Sequence, residues 1–84
     1  MTKPTLQVMV RSREGVKYQG PANFVSGINA RGLFDILPMH SNFISTISQK
    51  LWLEKPEGER VEFNVDNGVI HVSNNQVLAY LSIR

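Results

Sequence analysis

Seven carboxylates, two histidines and no cysteine are the groups from which this chain could build a catalytic or metal site. A protein metal site needs ligands at short, repeated spacings. His40 and His71 are far apart in the chain, and neither forms an H-x-x-x-H pair. His40 follows the Pro38-Met39 turn, whereas His71 sits mid-strand with Val69 on its face, so both read as surface or edge histidines. Among the acids, Glu57 and Glu59 belong to a hairpin tip, and Glu14 and Asp66 sit at turns. Glu54 and Glu62 fall on facing strands, where a solvated pair is the expectation and not the opposed carboxyls of a glycosidase. Asp35 is the odd one, a charge inside Leu33-Phe34-Asp35-Ile36-Leu37. It either guards a strand edge against aggregation or makes a polar contact with a partner. No G-x-S-x-G places a nucleophile, and no P-loop or G-x-G-x-x-G offers a phosphate cradle. The expectation is a protein with no catalytic residues, no metal and no cofactor.

Charge narrows the partners. Nine Lys and Arg against seven Asp and Glu leave a net charge of +2, spread along the chain. Lys3, Arg11, Arg13 and Lys17 form the densest basic group, which reads as a solvated edge and not as a nucleic-acid footprint. No apolar stretch approaches the roughly 20 residues of a membrane-spanning helix, and the opening MTKPTLQVMV lacks the apolar core of a signal peptide. With 84 residues there is room for one domain, 1–84, in a soluble protein.

The elements that would carry these residues are strands. Leu6, Val8 and Val10 alternate with Gln7, Met9 and Arg11, the period-2 pattern of a half-buried strand. Arg13-Glu14-Gly15 turns the chain into a short strand over residues 16–19 that Gly20-Pro21 ends. A third strand covers 23–26, a glycine-bounded loop covers 27–32, and 33–37 is extended until Pro38. Residues 41–47 are ambiguous: Ser41 could cap a short helix, but Ile44, Thr46 and Ile47 favour strand. Pro56-Glu57-Gly58 joins two strands as a hairpin, with Val61, Phe63 and Val65 turned inward. Asn67-Gly68 suits a turn with positive φ. A strand at 69–73, the tight turn Asn74-Asn75 and a last strand at 76–83 complete nine or ten short strands, the pattern of a sandwich or barrel.

The strands carry more apolar side chains than one face can bury. Leu78 and Tyr80 lie opposite Val77, Ala79 and Leu81, and Trp52 lies opposite Leu51 and Leu53. In a domain this small, two-sided strands either pack between layers or present a patch to a partner.

Residues 32–47 bring a family into view. Gly32-Leu33-Phe34-Asp35-Ile36-Leu37-Pro38-Met39-His40-Ser41-Asn42-Phe43-Ile44-Ser45-Thr46-Ile47 resembles the signature of epsilon subunits of F-type ATP synthases, G-x-hydrophobic-x-hydrophobic-L-P-G-H-x-P-hydrophobic-hydrophobic-T-x-hydrophobic. Leu6-Gln7-Val8-Met9-Val10, then Val16-Lys17-Tyr18-Gln19-Gly20, is similar to the family's opening strands, and Gly68-Val69-Ile70-His71-Val72-Ser73-Asn74-Asn75-Gln76-Val77 to its late hairpin. The resemblance implies an all-β fold, a flattened ten-stranded sandwich of two five-stranded sheets. It further implies a non-catalytic part of the central stalk, bound to the gamma subunit and seated on the membrane c-ring during proton-driven ATP synthesis. Its place would be the cytoplasmic face of the bacterial inner membrane, reached peripherally through the complex. Position by position, Ser12, His40, Ser45 and Asp66 would face gamma, and Ala30, Arg31, Gly32 and Leu33 would form the loop that meets the ring.

Several residues depart from the pattern. Met39 replaces the usual Gly, Asn42 replaces a frequent Pro, and Asp66-Asn67-Gly68 stands where relatives often carry S-G-G. Arg31 and Leu33 occupy positions where relatives often place acidic residues. The two-helix tail of the usual subunit has no counterpart after Arg84, so neither inhibition by that tail nor its nucleotide binding is expected. The alternatives are a small nucleic-acid-binding barrel and an epsilon-like paralogue that binds proteins outside the synthase.

Overall fold

Apolar side chains at every second position decide which side of each strand is hidden. Leu6, Val8 and Val10 are buried while Gln7 and Arg11 are exposed, and Val77, Ala79 and Leu81 are buried while Gln76, Leu78 and Tyr80 are exposed. The computed structural model describes residues 4–83, and among these it contains seven strands and no helix. They are β1 (Leu6–Ser12), β2 (Gly15–Ala22), β3 (Phe24–Asn29), β4 (Gly32–Ile36), β5 (Phe43–Glu54), β6 (Arg60–Ser73) and β7 (Gln76–Ile83). Hydrogen bonding links them in the order β2-β1-β7-β6-β5-β3-β4. All neighbours are antiparallel except β1 and β7, which run parallel with Val8 opposite Val77.

This ladder doubles over on itself. The first part of β5 pairs with the last part of β6, from Phe43 opposite Val72 to Ile47 opposite Gly68. The remainder of β5 pairs with the start of β6, from Gln49 opposite Val65 to Glu54 opposite Arg60. The irregularities at Ile47/Gln49 in β5 and Val65/Asn67 in β6 therefore lie side by side. A bulge inserts an unpaired residue and bends its strand; two adjacent bulges bend the pair. On one side of the bend lie β2, β1 and β7, and on the other β3 and β4. Val10, Ile70 and Leu81 from the first side and Val25, Ile36 and Leu53 from the second share one buried core.

The all-β sandwich agrees with expectation, but seven strands stand where ten were expected. The turn expected at Asn67-Gly68 is the interior of β6, and the break expected at Gly20-Pro21 lies within β2. Gly68 is there for space. A Cβ at this position would come within 2.8 Å of the Tyr80 carbonyl oxygen and of a Leu81 methyl, so only glycine lets β6 and β7 lie this close. Residues 43–47 are strand and not helix, as β-branched Ile44, Thr46 and Ile47 prefer. Asn74 and Asn75 form the β6–β7 turn with φ of 52° and 63°, the left-handed pair that a two-residue hairpin demands.

Asp35 is exposed on the edge strand β4. It lies opposite Ser26 across β3 and β4 and accepts a hydrogen bond from that buried hydroxyl. The facing acids do not pair either. Glu62 receives the Arg60 guanidinium at 2.7 Å, and Glu54 receives the Asn23 amide at 2.8 Å.

Candidate protein-docking face

The side of β1, β5, β6 and β7 turned away from the core carries large apolar side chains in register. One row across the strands is Ile44, His71, Leu78 and Met9; the next is Thr46, Val69, Tyr80 and Arg11. Neighbours in such rows sit about 4.5–5.5 Å apart at Cβ, so the rows form one continuous surface. Ile44 is 70% exposed, Tyr80 54%, Val69 50% and Leu78 47%. Val16 on β2, opposite Arg11, extends the second row and is also exposed. A groove of about 370 Å³ runs along the β2, β1 and β7 side, its lining including Gln7, Met9, Gln19, Gly20, Gln76 and Leu78.

The exposed apolar groups are confined to certain places. Trp52, the third apolar side chain expected in surplus, is half-buried and roofed by the Arg60 guanidinium 5.0 Å from its ring. Leu78 and Tyr80 stay about half exposed, and a contiguous apolar patch of this kind marks a contact surface.

One end of the face is built by Asn75. Its side-chain oxygen accepts from Met39 N at 2.8 Å, and its amide donates to the Thr5 carbonyl at 2.8 Å. This ties the turn at residues 37–40 to the start of β1 and to the β6–β7 turn. Met39, at the apex, is 82% exposed and holds φ of 69°, the left-handed region that glycine enters without cost. The methionine is thus tolerated where the resembled motif has glycine, and it adds an apolar group beside the face.

The residues singled out from the sequence fall as follows. Ser12 is buried at the end of β1, where its hydroxyl accepts from Glu14 N at 3.1 Å. Ser45 is half-buried; its hydroxyl accepts from the Asn29 amide at 3.0 Å and lies 2.8 Å from the Thr46 carbonyl to which it donates. His40 stands edge-on to Phe43 with ring centres 5.7 Å apart, and its Nδ1 lies 2.8 Å from the Ser41 carbonyl. Asp66 is exposed at the β6 bulge. These four do not make one open surface, because Ser12 and Ser45 are engaged within the fold. Ala30 and Arg31 are the β3–β4 turn, with Arg31 N donating to the Asn29 side-chain oxygen at 2.8 Å. Gly32 starts β4 at φ of 114°, and Leu33 is well exposed. Ile44 is the surface group that sequence reasoning missed, whereas Val69 shares the exposed side of β6 with His71, as its spacing implies.

Among the described residues there is no group of three or more His, Cys, Asp or Glu placed to hold a metal. No helix there is long and apolar enough to cross a membrane.

Fold and face together define a small β-sandwich with a preformed apolar sheet surface. Residues 5–79 match the family described as "ATP synthase, Delta/Epsilon chain, beta-sandwich domain", and the chain belongs to that family. It is 29% identical over 76 residues to the "ATP synthase epsilon chain" of a Nitratiruptor species, an alignment covering 89% of this chain and 59% of that one. Its fold matches a chain of the Euglena gracilis mitochondrial ATP synthase, in a structure of OSCP/F1/c-ring, with a TM-score of 0.85 at 15% identity. That match covers 96% of this chain and 53% of the other. A chain of the Tetrahymena thermophila mitochondrial ATP synthase central stalk/c-ring matches with a TM-score of 0.77 at 12% identity, over 96% and 66% of the two chains. The chain therefore spans between about half and two thirds of the length of these relatives.

Proposed function

We propose that this chain is the epsilon-type sandwich of a rotary ATP synthase, a non-catalytic coupling part that joins the gamma subunit to the membrane c-ring. The observation that carries this reading is the exposed apolar face of Ile44, Val69, Leu78 and Tyr80 on a domain of this family. Gamma covers that face, with Met39 and Met9 extending the apolar contact and His40 and Asp66 supplying polar contacts at its margin. Ser12 and Ser45 serve it from within, by fixing the β1–β2 turn and the start of β5. The Ala30-Arg31-Gly32-Leu33 turn, projecting between β3 and β4, meets the ring. Proton-driven rotation then passes through the sandwich as a rigid body, at the cytoplasmic face of the bacterial inner membrane.

A specific contact of this kind buries more than about 1,000 Å² in total, with an apolar centre and a polar rim. The test is binding to the gamma subunit of the same organism, for the intact chain and for Leu78→Asp and Val69→Asp. A carboxylate at the centre of an apolar contact costs about 2 kcal/mol or more, so each variant is expected to bind at least about thirtyfold more weakly. Undiminished binding by both folded variants overturns the assignment of this face, and no binding by the unmodified chain overturns the function.

A further inference from the structure

His71 stands in the middle of the apolar face. Across β5 it meets Ile44 and across β7 it meets Leu78, and on its own strand Val69 and Ser73 share its side. Its ring is exposed. The charged and titratable groups around it are few, and none of them is a carboxylate that could pair with a cation. From β5 the facing groups are Ile44 and Thr46, which carry none. From β7 they are Gln76, Leu78 and Tyr80, of which only the Tyr80 phenol titrates. One strand further, Arg11 on β1 lies opposite Tyr80. No carboxylate occupies these positions, so an imidazolium here has no acidic partner within the face.

A neutral imidazole can be covered by an apolar partner surface at the cost of one hydrogen bond, whereas a buried unpaired cation is far more costly. The charge change of histidine falls between pH 5 and 8. We infer that His71 makes docking through this face acid-sensitive: the partner binds the neutral form, and protonation of His71 releases it. This rests on the docking reading given above. Linkage fixes the sign and the size. Binding that expels one proton weakens as pH falls, by no more than about tenfold per pH unit. Across the two pH units in which histidine changes charge, one such proton accounts for a loss of about tenfold.

The experiment measures calorimetric affinity for the recombinant gamma subunit of the same organism at pH 7.5, 6.5 and 5.5, with circular dichroism at each pH to follow the fold. The unmodified chain is expected to lose about tenfold in affinity over this range. His71→Gln, which keeps a polar side chain of similar size without titrating, should bind nearly equally at all three values. A flat profile for the unmodified chain, or an unchanged slope in His71→Gln, overturns the inference while leaving the docking face intact. Undiminished binding by both Leu78→Asp and Val69→Asp at pH 7.5 overturns the docking reading itself.

Discussion

Replacing Gly68 with alanine should destabilise this domain, although the general rule points the other way. Glycine inside a strand is about 0.5–1 kcal/mol worse than alanine, because its unfolded chain has more freedom to lose. Here the added methyl would lie 2.8 Å from the Tyr80 carbonyl oxygen and 3.3 Å from the Leu81 Cα, both on the backbone of β7. A flexible side chain could swing away from such an approach; a hydrogen-bonded strand cannot. β6 and β7 must separate by several tenths of an ångström, beside the bulge where the ladder bends. Overpacking of this kind costs about 1–3 kcal/mol, which outweighs the entropic gain and leaves a net loss of about 0.5–2 kcal/mol. For a domain of this size each kcal/mol is worth about 4–8 °C, so the melting temperature should fall by about 2–16 °C. Gly68→Asn separates space from conformation. If glycine were needed for a left-handed turn, asparagine would be the mildest replacement. If space is the reason, asparagine should do at least as much harm as alanine. A thermal scan in which Gly68→Ala melts at or above the unmodified chain, or in which Gly68→Asn is clearly the milder change, refutes the reasoning.

Met39→Gly should raise stability by about 0.5–1 kcal/mol in urea unfolding, because a left-handed conformation that strains methionine suits glycine. Asn75→Ala removes the acceptor for Met39 N and the donor to the Thr5 carbonyl, and it puts alanine at a left-handed φ. A loss of about 1–3 kcal/mol is expected, with faster amide exchange at residues 37–40 as its local sign. Trp52 fluorescence should stay flat when a single-stranded oligonucleotide is added at low salt, since the Arg60 guanidinium occupies the position over the ring that a stacking base would need. A saturable, salt-sensitive change would revive the nucleic-acid alternative.

The hairpins were legible because their signals are local. Asn74-Asn75 and Pro56-Glu57-Gly58 each fix a turn through their own φ preferences, and the alternation of residues 76–83 fixes which side of β7 is buried. What escaped was set by distant parts of the chain. Gly68 reads as a turn residue until the carbonyl of Tyr80 is placed against it, and Gln49 carries no sequence mark of the φ of 70° it holds at the β5 bulge. Both are consequences of folding one ladder over on itself, so ten short strands become seven with two long ones. The face was half legible for a similar reason. Leu78 and Tyr80 declared themselves by lying opposite a buried triplet, but Trp52 looked equivalent and is not. Only the placement of Arg60, on the strand paired with its own, distinguishes a roofed aromatic from an open one.

The parallel pairing of β1 with β7 bears on how the domain is made. β2 can fold back on β1 as soon as both have been synthesised, but the other edge of β1 waits for residues such as Asn75, which bonds to a partner 70 positions earlier. Until β7 leaves the ribosome, Leu6, Val8 and Val10 have no second neighbour and no closed core. Non-local pairing of this kind folds slowly. The sandwich therefore closes only after its last strand has been translated, with β1 held as an unfinished edge in the meantime.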